Sequence, residues 1–122
     1  NHPHIKFTIP SGPAAGYMKI VNMGHEIDRL VGIEVTFADA ELHFTEVKDG
    51  IAKMTKVDHI NLPAQKAKSL KPGSHHIMFS NFKIDLIEGV NLEGILIFEF
   101  AGQISVLFEV EKQNSNLDFT EH

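Results

Sequence analysis

Apolar and polar residues alternate with a period of two along most of this chain. That is the pattern of strands with one face buried and the other in water. Runs with this alternation, or with continuous apolar character, predict strands over 5–9, 16–22, 28–37, 41–47, 51–57, 66–70, 75–80, 95–100 and 104–111. Turn chemistry separates them: Pro10 to Pro13, Asn22 to Gly24, Asp49-Gly50, Pro72-Gly73, Glu88-Gly89 and Ala101-Gly102. No segment sustains an apolar i, i+3, i+4 stripe over three turns, and the helical-looking stretch 37–42 is too short to stand as a helix. Short strands at close spacing predict an antiparallel sandwich or a small barrel.

Two strands matter most for chemistry. In 41–47, Leu42 and Phe44 point one way while His43 and Thr45 point the other. In 75–80, Ile77 and Phe79 share a face, and His76 and Met78 share the opposite one. The aliphatic and aromatic sets fill a core, which leaves the His and Met positions free to line a site. The Asp49-Gly50 pair is a strong two-residue hairpin signal, flanked by Lys48 and Ile51. It sets Met54 opposite Thr45, on the face of His43 and diagonal to it. A four-residue loop would put Met54 directly opposite His43, and a three-residue loop would send it to the other face, so the register is a testable expectation.

Length and composition bound the rest. A chain of 122 residues predicts one domain spanning 1–122, with an ordered core over about 5–112 and a flexible polar tail over 113–122. The first few residues also read as loosely held. The first residue is Asn1 rather than Met, which reads as a processed or trimmed product whose removed piece could have been an export signal. A formal charge of −5 without a Lys/Arg cluster argues against nucleic acid as a partner; Lys66, Lys68 and Lys71 read as a solvated face. No apolar run reaches the ~18 residues of a membrane span. With no Cys, disulfide scaffolds, Cys-ligated zinc, iron–sulfur clusters, thiol nucleophiles and thiolate blue copper are excluded. Enzyme signatures are missing as well: there is no G-x-S-x-G elbow, HExxH or P-loop. Asp118 and Glu121 fall in the tail, and Glu109 and Glu111 read as the solvent face of a strand. The chain is not expected to be an enzyme.

What remains is 8 His and 4 Met. Thioether sulfur is a poor ligand for Zn²⁺ or Mg²⁺ and a good one for Cu(I), and imidazole serves copper in both oxidation states. A cysteine-free Cu(I) site therefore combines Met with His. His43, Met54, His76 and Met78 supply such a set, with ten, twenty-one and one intervening residues. The last pair places two ligands on one strand face about 6.5–7 Å apart. The structural reading is assigned to the other candidates: Met18 to core packing, Met23 to a turn, His25 and His59 to the surface. His75 faces away from His76. His2 and His4, in a His-Pro-His run near the terminus, could hold a second Cu(II) weakly together with an amine; His122 reads as a tag remnant.

The spacing His-x10-Met-x21-His-x-Met resembles the signature of the PCuAC periplasmic copper chaperones. The likeness extends to Ala15–Asn22, Asp28–Gly32, Glu41-Leu-His43, Leu70–Gly73 with His76-Ile-Met78, Leu86–Gly89 and Phe98–Gly102, covering roughly Ala14 to Val110. It departs in a first strand without tryptophan and in His75 before the second ligand block. The resemblance implies an all-β, cupredoxin-like, Greek-key antiparallel β-sandwich of one domain, located in the periplasm. It also implies one Cu(I) per chain, bound by His43, Met54, His76 and Met78, and delivered to an exported cuproprotein. The implied acceptor is the CuA subunit of cytochrome c oxidase or a thioredoxin-like assembly factor. A monomer is expected, with a shallow, partly open site whose affinity falls below about pH 6 as the imidazoles protonate. Neighbours of Phe44 and Phe79 are candidates for shielding it from water. The competing reading is a copper-independent β-sandwich that acts as an interaction or adhesion module.

Overall fold

The computed structural model describes residues 2–10 and 12–113; of the expected tail, 114–122 lie outside the described residues. Ten strands follow in order: β1 (His4–Phe7), β2 (Ala14–Asn22), β3 (Asp28–Glu34), β4 (Asp39–Lys48), β5 (Ile51–Lys56), β6 (Ile60–Leu62), β7 (Lys66–Leu70), β8 (His75–Ser80), β9 (Asn91–Phe98) and β10 (Gly102–Lys112). Among the described residues there is no helix. Hence none is long and apolar enough to cross a membrane.

The strands form one hydrogen-bonded sheet in the order β5-β4-β8-β2-β1-β10-β9-β3-β6, with β7 joined to β2. β2 forks: Ala14–Gly16 pair with β8, while Met18–Asn22 pair with β7. The sheet curls over one core, so that Phe79 of β8 meets Phe108 of β10 edge-on at 5.7 Å. Ile5, Leu30, Ile60, Leu70, Ile77, Leu96 and Val110 complete its fully buried centre. The expected all-β sandwich is observed. One pairing departs from the antiparallel expectation: β1 runs parallel to β10. These strands come from opposite ends of the chain, so no tight hairpin constrains their direction.

Most boundaries match the alternation, and the differences have local causes. β9 starts at Asn91, ahead of the expected Ile95, because Gly94 lies inside the strand. A Cβ there would meet the Phe108 ring and Val35 at 3.1 Å, so the glycine admits a core ring rather than breaking the strand. β9 ends at Phe98 because Glu99–Ala101 form the turn, with Gly102 at φ 83° accepting the left-handed backbone. β6 was not expected. The first residues are pinned rather than loose: Glu109 N donates to Pro3 O at 3.1 Å, and Gln113 N donates to Phe7 O at 2.7 Å.

Gly16 fixes how β2 meets β8. A Cβ at that position would lie 2.7 Å from Cε2 of Phe79. Only glycine lets the Phe79 ring fill the core beneath the strand that carries Tyr17.

Candidate metal centre

The β4–β5 hairpin has the predicted two-residue turn, with Asp49 at φ 56° and Gly50 at φ 78°. Its register pairs Lys48 with Ile51 and Thr45 with Met54, as the sequence requires. On the other side of β4, His43 pairs directly with His76 and Glu41 with Met78. Opposed residues share a face, so His43, Met54, His76 and Met78 all lie on the outward face of three adjacent strands. The core-facing partners are Leu42, Ile77 and Phe79.

The geometry tightens around His76. Its Nε2 lies 3.4 Å from Met54 Sδ, and the His43 and His76 ring centroids are 6.1 Å apart. Nδ1–H of His76 donates to Ser74 O at 3.1 Å, which fixes the tautomer and leaves Nε2 as a lone pair toward the sulfur. His43 is held in the opposite sense. Its Nε2–H donates to Glu41 Oε1 at 3.0 Å, and its Nδ1 is buried with no partner among the described residues. A buried nitrogen without a partner is costly, and a metal ion would satisfy it. Met78 is half-buried beside this group and Met54 is half-exposed.

Burial differs from the sequence expectation of a shallow site. His76 is only 4 % exposed, covered by side chains that include Tyr17, whose ring centroid lies 6.2 Å away. Burial pushes the His76 imidazole below the ordinary histidine range, with neighbouring His43 acting the same way and the Ser74 hydrogen bond opposing it. Burial likewise raises the Tyr17 phenol. Glu41 is held below the usual carboxylate range by its hydrogen bond with His43 and by Lys56, 3.6 Å away.

Phe44 and Phe79 do not shield the group. Phe79 is fully buried on the core side, and Phe44 packs against His75 at 4.7 Å between ring centroids. His75 faces away from His76 as expected but is half-buried, and its Nδ1 is buried without a partner among the described residues. Met18 packs on the core, Met23 is exposed, and His25 and His59 lie at the surface. Tyr17 and Glu41 were given no role from the sequence. Glu41 was legible as the residue two before His43 on the same strand face; Tyr17 needed the β2–β8 pairing. His2 and His4 do come together, with Glu111 as a third group; the amine of the expected Cu(II) site lies outside the described residues.

Two imidazoles with two thioethers nearby form a donor set without an anionic ligand, which suits a soft monovalent ion better than a hard cation.

The LpqE-like family model matches residues 1–110. The fold aligns with the copper-bound PCuAC domain from PmoF2 at TM-score 0.77 and 25% identity, over 93% of this chain and 91% of that one. The apo PCuAC domain from PmoF1 aligns at TM-score 0.76 and 26% identity, over 93% and 92%. The CuI-DR1885 structure from Deinococcus radiodurans, 24% identical at TM-score 0.73 over 91% and 76%, shares the fold. Uncharacterized protein RP573 of Rickettsia prowazekii (strain Madrid E) is 30% identical over 105 residues, which is 84% of this chain. The match spans 57% of the length of that relative.

Proposed function

This chain belongs to the LpqE-like family, and from that premise and its His/Met cluster we propose that it is a copper carrier rather than an enzyme. It binds one Cu(I) through His43, Met54, His76 and Met78 and passes the ion to an acceptor protein. The observation that carries this reading is the approach of His76 Nε2 to Met54 Sδ at 3.4 Å, with His43 across the strand pair holding an unpartnered buried nitrogen. The copper-bound state of the PmoF2 domain, which shares the fold, supports copper as the ion.

The donor set explains why the ion can be released. Two imidazoles and two thioethers give Cu(I) affinity through softness without a thiolate charge to retain it. An acceptor with cysteines or more histidines then takes the ion by stepwise ligand exchange. Met54, half-exposed on the edge hairpin, is the first ligand an incoming partner can displace. The acceptor we favour is an exported cuproprotein, the CuA centre of cytochrome c oxidase or its thioredoxin-like assembly factor, which places the chain in the periplasm.

An anaerobic competition titration against a chromophoric Cu(I) chelator tests the proposal. Wild type should bind one Cu(I), and Met54→Ala/Met78→Ala should lose it. Unchanged binding in the variant, or none in wild type, overturns the reading.

A further inference from the structure

A second group of potential ligands lies on the same outward face, two strands from His76. His4 of β1 stands opposite Tyr17 of β2, and their ring centroids are 5.6 Å apart. Tyr17 thus separates the His/Met group from His2 and His4, which stack on each other at 5.3 Å. The parallel β1–β10 register brings Glu109 opposite His4 and Glu111 opposite Lys6.

We propose that His2, His4 and Glu111 form a second metal site, for a divalent transition ion of the Zn(II) or Cu(II) class, independent of the His/Met site. One potential ligand atom from each of the three residues lies within 4.8 Å of the others. His2 Nε2 is 3.1 Å from Glu111 Oε2 and 3.4 Å from Glu109 Oε1. Nδ1–H of His4 donates to His2 O at 2.8 Å, which fixes that imidazole and leaves Nε2 as a lone pair. The second oxygen of Glu111 lies 4.0 Å from Lys6 Nζ, which orients the carboxylate.

The backbone holds the site together. His2 precedes a proline, which confines it to extended conformations. Pro3 O accepts the Glu109 amide, so the His-Pro-His run is tied to the strand that supplies the carboxylates. The arrangement is therefore built by the sheet and does not depend on a terminal amine.

Donor chemistry separates the two sites. Two imidazoles and a carboxylate, with no sulfur, form a borderline-to-hard set that prefers divalent ions, whereas the His/Met group prefers Cu(I). Of the two divalent ions, Cu(II) should bind more tightly than Zn(II), by the usual order of affinities. Water would fill the remaining positions, since His2 is exposed.

Zn(II) is the discriminating probe, because thioethers serve it poorly. Calorimetric titration of the full chain with Zn(II) should show one saturable site in wild type. His2→Ala/His4→Ala should abolish it, and Glu111→Gln should weaken it. The His2→Ala/His4→Ala variant should keep wild-type Cu(I) affinity in the chelator competition, which also shows that it is folded. Cu(II) added to wild type without reductant should give an electron paramagnetic resonance signal with nitrogen coupling that the same variant loses. No saturable Zn(II) binding, or Zn(II) binding that survives His2→Ala/His4→Ala, overturns the proposal. Neither result bears on Cu(I) binding at the His/Met site.

Discussion

His43 and His76 stand directly opposite one another across the β4–β8 pair, with ring centroids 6.1 Å apart. Each imidazole has one nitrogen tied to the protein and one left over. For His76 the tie is the Ser74 carbonyl, and for His43 it is the Glu41 carboxylate. The two histidines therefore differ in burial and anchoring, and substitutions should separate their roles.

His76→Ala should weaken both copper binding and the fold, because His76 is buried and its loss leaves a void beside Tyr17 and removes one of the two hydrogen bonds that Ser74 O accepts, the other coming from the Thr45 amide. The expected destabilisation is about 1–3 kcal/mol. His43→Ala should abolish high-affinity Cu(I) binding with a smaller effect on stability. Urea unfolding of the two apo variants, beside their Cu(I) titrations, checks the asymmetry; equal stability losses would contradict it.

Glu41 should matter to copper without touching it. Its carboxylate accepts the hydrogen bond from His43 Nε2–H and so leaves the Nδ1 lone pair free for a metal ion. Glu41→Gln removes the charge that fixes this tautomer and should weaken Cu(I) affinity by about 10- to 100-fold, the usual cost of losing such an outer partner. Apo stability should stay unchanged, since Glu41 is exposed. Chelator competition gives the affinity and thermal melting gives the control.

Gly16→Ala should destabilise the fold by about 1–3 kcal/mol through overpacking. The new methyl would sit 2.7 Å from the Phe79 ring, which is fully buried and has no room to retreat. Urea denaturation measures the loss. A variant as stable as wild type would mean that the ring is not wedged beneath β2.

Asp28 should set part of the acid sensitivity. Burial alone would raise its carboxyl pKa, but amide donors from Phe100, Arg29 and Ala101 together outweigh it and hold the group below the usual carboxylate range. A depressed folded-state pKa contributes stability above the unfolded value of about 3.9, and this is lost as pH falls through the folded value. Asp28→Asn should therefore cost about 1–3 kcal/mol at neutral pH and flatten the stability profile below about pH 4. Denaturant midpoints across pH 2–7 provide the comparison.

The hairpin register and the shared face of His43 and Met54 were legible because Asp49-Gly50 is a strong signal for the two-residue turn that the structure shows. The common face of His76 and Met78 followed from strand alternation alone. β6 escaped because three residues, Ile60–Leu62, carry too little alternation to register between His59 and Pro63. The parallel β1–β10 pair escaped because its partners are about a hundred residues apart in sequence and no turn links them. For the same reason, Glu111 was not visible as a neighbour of His2 and His4. His76 burial was hidden too, since Tyr17 and Met54 approach it from two other strands.

X-ray absorption at the copper edge reads the ligand set itself, on the chain loaded anaerobically with one equivalent of Cu(I). Both nitrogen and sulfur scatterers should surround the ion, with the sulfur contribution lost in Met54→Ala/Met78→Ala. A wild-type first shell made only of nitrogen and oxygen would contradict a His/Met site.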